Sequence, residues 1–379
     1  QAAAESHPGD PGGWSQLGLA HVQNARLTAD PSEYGRAEQA FARSLQVQPQ
    51  RNSAALTGQA TLAAARHRFA EALRLADAAL AVNDYDATTY GVKTDALTEL
   101  GRYDDAAKAV QRMLDLRTGV DSLARASYQN ELRGDVVRAR ELLLQAAEAA
   151  HAPADVAFAR HYLGELAWNS GDLAGARAGY DAALAADPDY LPALAGRAKV
   201  LAATGHTTAA LADYQEAVQR QPQPAFLVEL GTLLEATGQK DAARQQYDVV
   251  RATQQLFAAS GADVDLELAL FEADHGDPAT ALRYARKAYA TRPDAVLVED
   301  AYAWALHRAG RDAQALPVAR RALRLGLRSP SLEYHLGAIA AAVGDRAAAR
   351  TALTRALTLN PRFDPLQAPE ARRLLGRLS

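Results

Sequence analysis

The sequence predicts an all-α chain, a solenoid of stacked antiparallel helix pairs, and three observations carry that expectation. Alanine, the residue with the highest helix propensity, makes up roughly a quarter of the chain. No stretch alternates apolar and polar residues with the period of two that a half-buried strand needs. A marker residue returns at intervals of 33 to 38 residues: His67, Gly101, Gly134, Gly171, Gly205, Gly238, Gly276, Gly310 and Gly344. A nearly fixed period of that size is the mark of a repeat architecture.

The positions around each marker explain what a unit is. Five residues after every marker stands an alanine: Ala72, Ala106, Ala139, Ala176, Ala210, Ala243, Ala281, Ala315 and Ala349. Twelve after it lies a second small or apolar residue, such as Ala79, Met113, Ala183, Ala217 or Val250. Nine after it comes a larger filler in most units, including Leu143, Tyr180, Tyr214, Tyr247 and Leu353. Seven before it, Gly164, Gly231 and Gly337 recur, and Pro188, Pro222, Pro293 and Pro361 close four units. Each unit therefore reads as two helices of about 13 residues joined by a tight turn. The glycine marker takes the positive φ that ends the first helix, and the proline stops the second. The small positions allow helix axes to approach to about 8–10 Å. Helices this short are marginal alone, so their stability must come from stacking on neighbours.

At the ends the pattern degrades. Trp14, Leu17 and Gly18 open an earlier unit that Ala37, Phe41 and Pro49 close, with an insertion around residues 27–34. About ten units thus fill residues 14–361. Residues 1–13, with Pro8, Pro11 and three glycines, read as a flexible lead-in. Residues 362–379 hold one more amphipathic helix, over 368–378, expected to cap the apolar face of the last unit.

The residues of these units resemble the tetratricopeptide repeat pattern. The match is carried by Trp14, Leu17 and Gly18, then by Leu163, Gly164, Gly171, Ala176, Tyr180, Ala183 and Pro188. The resemblance spans residues 14 to about 361. It implies a right-handed superhelix whose concave groove is lined by the first helix of each unit, and a role in holding peptides or proteins. Departures from the pattern are His67 in a glycine slot, the spacings of 37 and 38, and Pro317 inside a helix. One subgroup of the family clamps a terminal carboxylate with groove lysines. The matching places here read Thr57, Gly91, Ala124, His161, Ala195, Val228, Leu266, Asp300 and Tyr334, so that activity is not expected.

Composition excludes other classes. The 379 residues include no cysteine, which removes disulfides, thiolate metal sites and a cysteine nucleophile. The formal charge of -4 gives no general case for nucleic acid, and no apolar run reaches the roughly 18 residues of a membrane span. No phosphate loop, dinucleotide fingerprint, zinc-protease helix or nucleophile elbow is present. The repeats use nearly the whole chain, so neither catalysis nor a cofactor is expected.

With the marker at position 15, positions 2, 5, 9 and 12 of the first helix share one face. That stripe holds Asp95, Asp121, Glu131, Glu165, Glu235, Asp263 and Asp300 against the single Lys199. It also gathers two aromatic patches: Tyr128, Phe158, His161 and Trp168 in the middle, and Trp304, His307 and Tyr334 near the end. An acidic groove with aromatic anchors suits a protein or peptide segment carrying Lys or Arg. The same rings at helical spacing also suit plain packing between units. A second reading is a small-ligand or metal carrier, because His161 and Glu165 stand one turn apart with Glu131 a unit away. Asp300 and His307, two turns apart, invite the same thought, whereas Asp274, His275, Gly276 and Asp277 read as turn chemistry. A third is a self-association module. The first residue is Gln1 and an Ala/Gly/Pro-rich lead-in follows it, a pattern often found after a secretion signal, so an extracytoplasmic location is expected.

Overall fold

In the computed structural model, which describes residues 6–378, every regular element among the described residues is a helix. The helices pair in chain order. The first three pairs are α1 (Pro11–Thr28) with α2 (Glu33–Val47), α3 (Ser53–Ala65) with α4 (Phe69–Val82), and α5 (Ala87–Glu99) with α6 (Tyr103–Leu116). Next come α7 (Val120–Leu132) with α8 (Val136–Ala149), α9 (Pro153–Asn169) with α10 (Leu173–Ala186), and α11 (Leu191–Ala203) with α12 (Thr207–Arg220). The last four are α13 (Pro224–Ala236) with α14 (Lys240–Ala259), α15 (Asp265–His275) with α16 (Pro278–Thr291), α17 (Val296–Arg308) with α18 (Asp312–Ala322), and α19 (Pro330–Ala342) with α20 (Arg346–Leu359). A final helix, α21 (Gln367–Arg377), packs on α19 and α20 through Ala368 and Ala371.

Of the expected lead-in, residues 1–5 lie outside the described residues, and 11–13 are already helical. The cause is local: Asp10 accepts hydrogen bonds from the Gly12 and Gly13 amides at 2.9 and 3.0 Å, and Pro11 starts the helix. The long spacings also find their places. The interval of 37 holds a lengthened α9 of 17 residues, and that of 38 a lengthened α14 of 20 residues. Pro317 sits within α18, which is 11 residues long where most second helices have 14.

The repeated small residues are core. All nine alanines five after the marker, and all nine residues twelve after it, keep no more than 2% of their surface. Ala210→Leu would force α12 against its neighbours. A loss of about 1–3 kcal/mol is expected, read as a lower denaturation midpoint.

The chain divides into two compact units: residues up to Ala126 with Thr253–Val264, and Ser127–Ala252 with residues from Asp265 onward. In the first, the Phe41 ring fills a notch between Gly18 and Gly58, where any Cβ would collide with it. His67 keeps the left-handed φ of 55° that its glycine counterparts adopt. Its Nδ1 lies 3.0 Å from the Asp263 carbonyl, and the Asp263 amide donates to the Arg66 carbonyl at 2.8 Å. The turn of the second pair thus rests on the segment that ends the seventh.

The second unit repeats both devices. Tyr180 fills the notch between Gly164 and Gly196, Tyr247 packs on Gly231, and Leu353 on Gly337. The turn of the fifth pair rests on the end of the tenth, where Asn360 Nδ2 donates to the Trp168 carbonyl at 2.8 Å. Gly171 is required there twice over, by its φ of +76° and because a side chain would strike the Leu359 carbonyl. Gly276 departs from the expected positive φ. The Glu272 carboxylate folds over it and accepts from the Asp277 amide at 3.0 Å, closing the turn in another way.

Candidate functional site

The second unit gathers the charged groups of several first helices into one recess. From α7 comes Glu131, from α9 His161 and Glu165, from α11 Lys199, and from α13 Glu229. Asp364 reaches it from the segment between α20 and α21. Lys199 Nζ donates to both oxygens of Glu165 at 2.9 and 3.0 Å, and the Tyr180 hydroxyl donates to Glu165 at 2.6 Å. Asn169 donates to Glu131 at 3.2 Å, and Tyr214 hydrogen-bonds Glu229. Protein surrounds these groups, yet Glu165 and Lys199 keep 27% and 20% of their side-chain surface open to solvent. The protein encloses them without sealing them into a core.

The electrostatics follow from that enclosure. Burial pushes the Glu131, Glu229 and Asp364 carboxyls above the ordinary carboxylate range. Neighbouring acids add to the rise: Glu165 beside Glu131 and Glu229, and Asp274 beside Asp364. Burial works the same way on Glu165, but the Lys199 charge, His161 and the Tyr180 hydroxyl together hold it below its usual value. For Lys199 burial favours loss of the proton, and the charges of Glu165 and Glu229 overrule it. Burial lowers His161 to about 4, with Lys199 adding to the shift and Glu165 opposing it. Its neutral ring stands among Tyr162, Tyr180 and Tyr190, at centroid distances of 5.2, 5.8 and 5.6 Å. His161 Nδ1 is buried and has no hydrogen-bond partner.

The structure separates the expected site residues into two kinds. Glu131, His161 and Glu165 are brought together in the recess. Tyr128 is exposed, and Phe158 is half-buried against Tyr162 at 4.7 Å. Trp168 is not an open anchor: it belongs to the core of the unit, with Lys199 Nζ over its ring at 5.4 Å. The late patch is packing, and its expected place on a groove must be corrected. Asp300, Trp304 and Tyr334 are all buried. Asp300 is paired with buried His335 at 2.9 Å, and Trp304 stacks on His335 at 4.2 Å while its Nε1 donates to Asp274 at 2.8 Å. Tyr334 lies against Trp304 and Phe363. His307 stays half-buried, stacked on Trp304 and bonded to Asp312. The sequence stripe missed this because His335, Asp274 and Phe363 lie outside it and supply the partners.

Paired acids likewise reduce the expected charge of the stripe. In the first unit Asp95 holds Arg125 through two hydrogen bonds of 2.8 Å. In the second, Glu235 accepts from the Tyr247 hydroxyl at 2.9 Å and faces His275 Nδ1 at 3.2 Å. For a metal carrier, His161 and Glu165 would have to share an ion. Both Glu165 oxygens are instead taken by Lys199, and among the described residues no three ligating side chains converge. Glu229 and Asp364 were not singled out in the sequence. Glu229 falls between stripe positions, and Asp364 follows the last closing proline, where the repeat gives no register.

A tandem of antiparallel helix pairs with glycine turns and a closing helix defines a helical-repeat protein of the solenoid class. The chain belongs to the tetratricopeptide repeat family. Models of that family, described as tetratricopeptide repeat, match residues 57–121 and 181–329, together more than half of the sequence. No curated protein matches the chain. Among solved structures it is similar to the Cut9–Hcn1 hetero-tetramer of the APC/C, at 16% identity and a TM-score of 0.47, over 92% of this chain and 73% of that one. It is also similar to a thermophilic tetratricopeptide repeat protein of Thermus thermophilus, at 23% identity and a TM-score of 0.44, over 50% and 99%. A third, YrrB, described as having an unusual peptide-binding site, shares 20% identity at a TM-score of 0.34, over 52% and 98%. Among the described residues no helix is long and apolar enough to cross a membrane.

Proposed function

We propose that this protein-interaction scaffold is non-catalytic and holds a cationic segment of a protein partner at the recess of its second unit. One observation carries the reading: Glu131, Glu165, Glu229 and Asp364 share the recess with Lys199, whose hydrogen bonds go to Glu165. Three of those carboxyls are raised by burial and mutual repulsion, so an incoming Lys or Arg side chain would relieve a strain already present. Tyr128 and Phe158 are the aromatic surfaces of the central patch least committed to the core, and they would flank the entering chain.

The test is titration of the full chain with a fluorescein-labelled hexa-arginine peptide. Lys199→Met should strengthen binding severalfold, because it removes the competing cation. Glu131→Gln with Glu229→Gln should weaken it about tenfold or more. Binding should also fall with salt as screening shortens to about 8 Å at physiological ionic strength. Affinity that is indifferent to all three changes would rule the recess out.

A further inference from the structure

We infer a second binding site in the same unit, a basic cleft that takes an acidic segment of a protein partner. It is a hollow of about 850 Å³ between the turn joining α15 to α16 and the turn joining α17 to α18. Its walls carry Arg283, Arg286, Arg308 and Arg311, and all four are exposed. The lining holds these four Arg against the single Asp277, in a chain whose formal charge is -4. The cleft is therefore a local reversal of the molecule's sign.

The lining does not balance the four guanidinium groups. Arg283 lies over the Tyr284 ring at 5.1 Å and Arg308 over Trp304 at 5.9 Å, contacts that position a cation without cancelling its charge. The neighbouring acids are engaged elsewhere. Asp277, the one carboxylate of the lining, caps α16 by accepting from the Thr280 amide at 2.8 Å, and its charge is felt by Arg283, so it offsets part of one of the four positive charges. Asp312 is bonded to His307, and Glu299 is held by Arg321 and Arg324. Arg283 and Arg286 stand three apart on α16 and so share a face. Arg308 and Arg311 approach from the next turn.

The shape selects among anions. A hollow of this size exceeds one phosphate, and Pro278, Ala279, Leu282 and Ala309 give it an apolar floor. A peptide with carboxylates for the rim and an aliphatic side chain for the floor satisfies both parts. A duplex would need cationic groups strung along its backbones, whereas these converge on one hollow. The cleft draws on none of the recess residues, so the two sites are independent.

The experiment uses the full chain and fluorescein-labelled octaglutamate, read by fluorescence anisotropy at low salt. Saturable binding is expected, and Arg283→Glu, Arg286→Glu and Arg311→Glu together should lower affinity at least about tenfold. Arg140→Glu with Arg350→Glu, exposed positions elsewhere in the unit, should change it by less than about twofold. Should the triple variant lose its helical circular dichroism, the neutral pair Arg283→Gln with Arg286→Gln replaces it, with a severalfold loss expected. No saturable binding, or equal affinity in wild type and cleft variants, overturns the proposal. So does competition in which duplex DNA or inorganic phosphate displaces the peptide more effectively than unlabelled octaglutamate.

Discussion

Replacing Tyr180 by alanine is expected to cost the second unit about 3–5 kcal/mol. The ring is wholly buried and fills the notch made by Gly164 in its own pair and Gly196 in the next. No side chain stands at either glycine to relax into the space, so the cavity would persist. The hydroxyl adds a separate share, because it donates to Glu165 at 2.6 Å. Tyr180→Phe isolates that bond and should cost about 1.5–3 kcal/mol, the range for a hydrogen bond to a charged group. In a stack stabilised by nearest neighbours, the loss should appear as earlier unfolding around α9–α12, measurable by hydrogen exchange. Equal protection of those helices in wild type and Tyr180→Ala would refute the notch as a source of stability.

His161 should make the protein acid-sensitive in a definable window. Its folded pKa is held near 4 by burial, while the unfolded chain titrates at the ordinary value of about 6.5. Above about pH 6.5 both states are neutral at this site and its contribution is fully present. As pH falls, the unfolded chain takes up the proton first, and stability drops by up to about 3 kcal/mol on reaching pH 4. Glu131, Glu229 and Asp364 act in the opposite sense, because their raised carboxyls bind protons more readily in the folded state. So does His335. The Asp300 charge raises it against the effect of burial, and its contribution is present below pH 6.5 and lost as pH rises through its folded value. The clean measurement is therefore the difference between wild type and His161→Phe across pH 4–7. A pH-independent difference would mean that the ring is not held neutral.

Much of this molecule can be read from residue type and spacing. The nine alanines after the markers are core because a helix repeats its face every three or four residues, and only a small side chain lets two axes meet. Gly171 and the closing prolines mark helix ends because backbone geometry at a turn is local. Tyr180 and Gly164 stood out as two recurrent positions, a large filler and a small residue, and the structure shows that the one seats on the other.

What the spacing could not decide was which face of the stripe met solvent. Trp168 and Trp304 repeat at groove positions, yet the first is buried in the core beside Tyr180 with Lys199 over its ring, and the second is enclosed by His335, Asp274 and Tyr334. Glu165 looked like a partner of His161 in holding a metal until Lys199 and Tyr180 took its oxygens. Asp364, outside any repeat, became part of the recess because the segment beyond Pro361 returns to it. The sequence by itself therefore determined the helices, their pairing and the residues at their contacts, since those depend on backbone torsions and neighbours a turn away. The tertiary structure alone decided which charges are paired and which rings are open, since burial and Coulomb energy are set by groups brought close from distant parts of the chain.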